Sequence, residues 1–153
     1  MGIAILLHAV AAVIWVGGMF FAWMVLRPVA AGQLEPPARL PLWLGVFDRF
    51  FPWVWASVAV ILASGFWVVF AVYGGFAATP AHVHTMTALG IVMTAIFIFV
   101  YFVPYRRLGD AVASSDWPRG GTALGLIRRL IGINLVLGLV TVAVGAGGRY
   151  LLG

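Results

Sequence analysis

The sequence predicts an all-α, polytopic membrane protein: a bundle of four transmembrane helices with short amphipathic helices on the cytoplasmic side. Three observations lead to this prediction. Of the 153 residues, 64% are hydrophobic and 8% are charged, whereas a soluble domain is about half apolar and about a quarter charged. The chain contains four long apolar runs, and almost all of its charges lie in the two connections between them. Its length suits one domain without a separate soluble module.

The four apolar runs cover residues 3–26, 53–73, 84–105 and 130–148. Each can cross a hydrocarbon core of about 30 Å, which takes about 20 helical residues. Backbone groups in lipid must be satisfied internally, so we expect each run to be a helix. No basic residue precedes the first run and no polar, small-residue cleavage region follows it, which indicates a retained span and not a removed signal peptide. We therefore expect residues 1–153 to form a single four-span membrane domain.

The two charged connections each contain the start of a further helix. In LEPPARL, the prolines suit the first turn of a helix. In SDWPRGG, Ser115 or Asp116 is a plausible N-cap and Pro118 lies in the first turn. The apolar residues that follow recur at three- and four-residue spacing, which is typical of amphipathic helices at a membrane surface.

The arginines predict the orientation of the chain. All nine basic residues are arginines, and eight of them lie in segments 27–52 and 106–129. The connection 74–83 has no formal charge. The positive-inside rule makes the arginine-rich side cytoplasmic, so we expect both termini on the periplasmic side of a bacterial inner membrane. Charges this sparse do not form a phosphate-binding face, which argues against nucleic acid as a partner.

The histidines gather on the side opposite the arginine-rich connections. From Arg27 back to His8 is about 28 Å of helix, and from Arg106 back to His84 is about 33 Å. Arg149 lies about 30 Å from Arg129 by the same count. His8, His84 and Arg149 are therefore expected in one layer near the periplasmic surface, with His82 slightly above it.

One interpretation of this layer is a b-type haem held by His8 and His84 from two helices. Arg149 could pair with a propionate, Tyr150 could assist from the same end, and Trp15 lies on the same helical stripe as His8. A haem there would support electron transfer, or an oxidoreductase activity on a quinone or tetrapyrrole. We take haem as the leading hypothesis.

Copper is the alternative. His82, His84 and Met86 form a His-x-His-x-Met sequence, and imidazole and thioether ligands suit copper better than hard cations. His8 could complete the set, and Met19, Met24 and Met93 could form deeper steps of a path. The absence of cysteine excludes thiolate metal sites, iron–sulfur clusters and disulfides.

A third interpretation contains no metal, since histidines near a membrane surface are readily tolerated. The apolar runs contain no Asp, Glu or Lys, which argues against a conventional proton-driven pump. Asn134, inside the fourth run, is expected to form a hydrogen bond across helices. A bundle of this size could dimerise to shield polar surface, although the sequence has no distinct interface pattern.

Three stretches resemble the CopD (copper resistance D) family of bacterial membrane proteins. They are LLHAVAAVIWVGGMFFAWMVLRP at 6–28, HTMTALGIVMTAIFIFVYFVPYRRL at 84–108 and IRRLIGINLVLGLVTVAVGAGGRY at 127–150. The resemblance covers nearly the whole chain. It implies a role in copper uptake or tolerance, often alongside a periplasmic copper carrier.

The spacing of His8, Trp15 and Gly18 is also similar to the first span of HemJ, the membrane protoporphyrinogen oxidase family. That resemblance implies haem binding at His8. HemJ-type proteins also rely on a lysine in a later span, and this chain has no lysine.

Overall fold

The computed structural model describes residues 1–151 and, among these, the side chains of all but Arg149 and Leu151. This part of the chain is helical throughout, apart from short connections. The α-helices are α1 (Gly2–Phe21), α2 (Arg27–Gln33), α3 (Pro36–Trp67), α4 (Ala81–Phe102), α5 (Pro104–Ala113) and α6 (Trp117–Leu151). Two π-helical segments, Ala22–Leu26 and Val68–Val72, continue α1 and α3, and a short 3₁₀ turn covers Phe76–Ala78.

These elements join into four long helical units, each apolar enough to cross a membrane, which confirms the predicted four-span fold. They cover Gly2–Gln33, Pro36–Val72, Ala81–Ala113 and Trp117–Gly148. Side chains on their outer faces are apolar and exposed, for example Val13, which is 71% exposed. A water-soluble protein would bury such faces, whereas exposed apolar faces are typical of helices that contact lipid.

The amphipathic segments of the two charged connections are mostly extensions of the spans. Pro36 begins α3 and Trp117 begins α6, and each helix then runs without a break into the membrane-spanning region. Asp116 caps α6, because the backbone N–H of Arg119 donates to its Oδ1 at 3.2 Å. Extending an existing helix is easier than nucleating a new one, which favours one long helix over two short ones. α5 remains as a short helix of its own, following α4 after Val103.

Both arginine-containing connections lie at the same end of the bundle, which we call the arginine-rich end. The hydroxyl of Tyr105 donates to Asp48 there and joins the two connections. Several of the most buried core side chains lie at this end, with Leu40, Phe47, Leu108 and Ile127 at most 2% exposed.

The opposite end holds the connection 74–80 and the start of α4, and we call it the arginine-poor end. Gly74 and Gly75 have φ angles of 76° and 127°, a backbone region that favours glycine. The N–H of Gly75 donates to the carbonyl of Val69 at 2.9 Å and closes the end of the second long unit. α4 then begins at Ala81, so His82 and His84 both lie in its first turns.

Candidate functional site

A cavity of about 230 Å³ opens between α1, α3, α4 and α6 towards the arginine-poor end. Its walls are mainly apolar. The lining residues whose side chains contain a polar or sulfur atom include His8, Ser64, Met86, Thr87, Met93 and Thr141. A largely apolar cavity with a few convergent donor atoms is the usual form of a ligand site.

His8 is held against α3 by a hydrogen bond. Its Nδ1 lies 2.8 Å from the Ser64 hydroxyl oxygen, and that oxygen lies 2.6 Å from the carbonyl oxygen of Val60. Serine has one hydroxyl proton, which goes to the carbonyl, so the Nδ1–H of His8 donates to Ser64. The neutral ring then carries its free lone pair on Nε2, the atom that a metal ion would bind.

Two methionines of α4 pack against glycines of α6. Met86 and Met93 are seven residues apart and lie on one face of α4, as Gly145 and Gly138 do on α6. A Cβ at Gly145 would lie 2.9 Å from Met86 Cε, and one at Gly138 would lie 3.2 Å from Met93 Cε. The two glycines therefore leave the space that both methionine side chains occupy beside the cavity.

Trp15 closes the cavity on its inner side. The indole is 3% exposed and meets Phe97 edge to face, with ring centroids 6.3 Å apart. Close by, the Asn134 side-chain amide donates to the backbone carbonyl of Met93 at 3.1 Å, which confirms the predicted bond across helices. The Asn134 Oδ1 has no hydrogen-bond partner in the described part of the chain.

The remaining predicted residues lie elsewhere. His84 is exposed and stacks on Phe76, with ring centroids 5.9 Å apart, and the described lining of the cavity does not include it. His82 packs against α6, where a Cβ at Gly148 would lie 2.7 Å from His82 Cβ. Tyr150 is 83% exposed, and the side chain of Arg149 lies outside the described residues.

The cavity thus brings His8, Trp15 and Met86 together, and it adds residues that sequence reasoning did not assign to the site. Ser64 and Thr141 were not considered, and Met93 was considered only as a step of a path. A serine inside an apolar span is a signal for a bond across helices. Its partner depends on how α1 packs on α3, which the spacing of residues does not give.

The donor atoms in the cavity form a soft ligand set. Among the described side chains, no three His, Cys, Asp or Glu lie together as a metal-binding group. One imidazole and two thioethers line the cavity instead. Such ligands suit monovalent copper and do not suit hard cations such as Mg²⁺ or Ca²⁺.

Comparison with known proteins gives one family. Residues 44–147 match the family model described as copper resistance protein D. The match covers more than half of the chain and includes Ser64, Met86 and Met93, whereas His8 lies before it. No curated protein and no solved structure matches the chain.

Proposed function

The chain belongs to the CopD (copper resistance D) family of membrane proteins, and we propose that it binds monovalent copper, Cu(I), in the cavity between α1, α3, α4 and α6. The observation that carries this proposal is the shared cavity of His8, Met86 and Met93, with the Nδ1 atom of His8 occupied by Ser64. Family membership by itself would not say where in the bundle copper is bound.

The charge of the ion decides between the two oxidation states of copper. The imidazole and thioether ligands are neutral, and the cavity walls are apolar. Bringing an ion into such surroundings costs free energy that rises with its charge. Cu(I) carries one charge and prefers soft donors, whereas Cu(II) prefers tetragonal nitrogen and oxygen ligands. The site therefore favours Cu(I).

The cavity is larger than a bare ion, so side chains must move towards the metal. Methionine can do this because its unbranched side chain has three rotatable bonds. His8 has less freedom, since its hydrogen bond to Ser64 fixes the ring against α3. We infer that His8 is the fixed ligand and that Met86 closes on the ion.

The charge distribution favours entry from the arginine-poor end. Eight of the nine arginines belong to the two connections at the opposite end, where their charge repels a cation. With the positive-inside orientation, the cavity opens to the periplasm, and a periplasmic copper carrier is a suitable donor. We propose that the chain takes up copper on that side of a bacterial inner membrane.

Haem b ligated by His8 and His84 stays a prediction without support. The structural reason is that His84 stacks on Phe76, and the described lining of the cavity offers His8 as its histidine. Arg149 and Tyr150 were expected beside the propionates, and that role is equally untested.

The test is a Cu(I) titration of the purified protein in detergent against a colorimetric Cu(I) chelator, with an absorption spectrum recorded first. We expect a colourless protein that binds one Cu(I) per chain. His8→Ala should weaken binding by more than about a hundredfold, beyond the ten- to hundredfold effect typical of residues that only orient a ligand. Met86→Leu, which keeps the side-chain volume, should weaken binding by about tenfold.

His84→Ala and Met24→Leu are the matched controls, because they remove the same ligand types outside the described cavity. Both should bind Cu(I) like the wild type. Copper affinity that survives His8→Ala, with helicity and size-exclusion profile intact, would contradict the proposal. A Soret band that is present in the wild type and disappears in His8→Ala would mean that the site binds haem and not copper.

A further inference from the structure

A second cavity, of about 180 Å³, lies at the arginine-rich end between the π-helical segment Ala22–Leu26, α2, α3 and α6. Three arginines from three different helical units line it: Arg27, Arg39 and Arg128. None of the described residues that line this cavity is acidic. We call it the arginine pocket.

Two of the three guanidinium groups are held in place by their surroundings. Arg27 lies over the indole ring of Trp23, 4.2 Å from its centroid. Arg39 donates from Nη1 to the carbonyl of Leu34 at 3.4 Å. Arg27 and Arg39 are half-buried, and Arg128 is exposed. Three like charges around one cavity repel one another unless an anion lies between them, so the pocket is suited to a negatively charged ligand.

The remaining lining of the pocket is apolar, and part of it lies on the membrane side of the arginines. Ala22, Trp23 and Ile131 come from the spans, about one turn inwards of Arg27 and Arg128. Trp23 is fixed there by close packing, since a Cβ at Gly132 would lie 2.9 Å from its Cη2. The pocket thus has an apolar wall on the membrane side of Arg27 and Arg128, where the acyl chain of a lipid would lie if its phosphate bound the guanidinium groups.

We propose that the arginine pocket binds the phosphate group of an anionic phospholipid from the surrounding leaflet. Guanidinium groups bind phosphate oxygens in a bidentate fashion, and basic pockets between transmembrane helices commonly hold anionic head groups. This assignment does not depend on copper binding. It also means that the pocket is not an exit for copper, because three cations around the passage repel Cu(I).

The test is a titration of phosphatidylglycerol into the purified protein in detergent, followed by native mass spectrometry, with phosphatidylcholine and inorganic phosphate as separate probes. We expect saturable binding of one phosphatidylglycerol per chain, and weaker binding of both other probes. In the variant R27Q/R39Q/R128Q, affinity for phosphatidylglycerol should fall by about fivefold for each arginine removed, which is about a hundredfold in total. Arg39→Gln alone should show about a fivefold loss if the triple variant does not fold.

The matched control is R107Q/R119Q/R129Q, which removes the same charge at the same end from exposed arginines that do not line the pocket. It should keep wild-type affinity for phosphatidylglycerol. Equal losses in the two triple variants would overturn the proposal, since they would indicate general attraction to the basic end. Inorganic phosphate that binds as tightly as the lipid would overturn the assignment to a lipid. R27Q/R39Q/R128Q should bind Cu(I) like the wild type. The lipid proposal can therefore fail without affecting the copper proposal.

Discussion

Each end of the bundle has a cavity, and the two ends differ in the packing of the core beside it. At the arginine-rich end, Phe47 and Phe51 stack with ring centroids 5.0 Å apart, and Leu108 and Ile127 are fully buried. At the arginine-poor end, the four spans leave a cavity of about 230 Å³. The difference predicts that substitutions in the stacked aromatic rings cost more stability than substitutions at the wall of the cavity at the arginine-poor end.

The sequence explains this difference locally. α3 and α6 extend past the apolar runs at the arginine-rich end, and α5 packs beside them, so large side chains from three helices meet. At the other end, the face of α1 around His8 offers the small residues Ala4 and Ala12 to the cavity. Small side chains that are not met by large ones leave space.

The largest effect is expected from Phe47→Ala at the packed end. This ring is 2% exposed and contacts both Trp43 and Phe51, so its removal should lower the free energy of unfolding by about 3–5 kcal/mol. Leu62→Ala, at the wall of the open cavity, should cost only about 1 kcal/mol, since that side chain is already half-exposed. Unfolding in mixed micelles measures the free energy of unfolding of both variants. Equal losses in Phe47→Ala and Leu62→Ala would contradict the proposed difference between the two ends.

Ser64→Ala should affect binding and leave the fold nearly unchanged. It removes the acceptor that fixes Nδ1–H of His8, and the loss of such an orienting partner typically weakens metal binding by about ten- to hundredfold. Ser57→Ala is the control, because Ser57 is buried on the same helix and does not line the cavity. A Cu(I) titration that finds the two serine variants equal would remove Ser64 from the site.

Asn134→Leu should give the smallest change. The substitution loses the hydrogen bond from Asn134 to the Met93 carbonyl, which is worth about 0.6 kcal/mol between membrane helices. It also removes the buried Oδ1, which has no partner in the described part of the chain. The two effects oppose each other, so the free energy of unfolding should stay within about 1 kcal/mol of the wild type. A loss several times larger would mean that Asn134 holds the packed and open halves of the bundle together.

The candidate site was predictable only in part. The helical rise put His8 towards the arginine-poor end, and there it lines a cavity together with Met86. The same count predicted His84 in that layer, but it could not show that the ring stacks on Phe76 and that the described lining of the cavity does not include it. Depth follows from residue number along a helix, whereas the direction of a side chain depends on helix rotation and on the neighbouring helix.

By itself, the sequence determined the four apolar helices, the end at which the arginines gather and the approximate positions at which α3 and α6 begin. These features follow from hydropathy, charge and local backbone preference, which act within one segment of the chain. Only the tertiary structure decided that His8 meets Ser64, that Met86 and Met93 pack on glycines of α6, and that Arg27, Arg39 and Arg128 surround one pocket. Each of these contacts joins residues from different helices, and they are set by the shape of the side chains that pack between those helices.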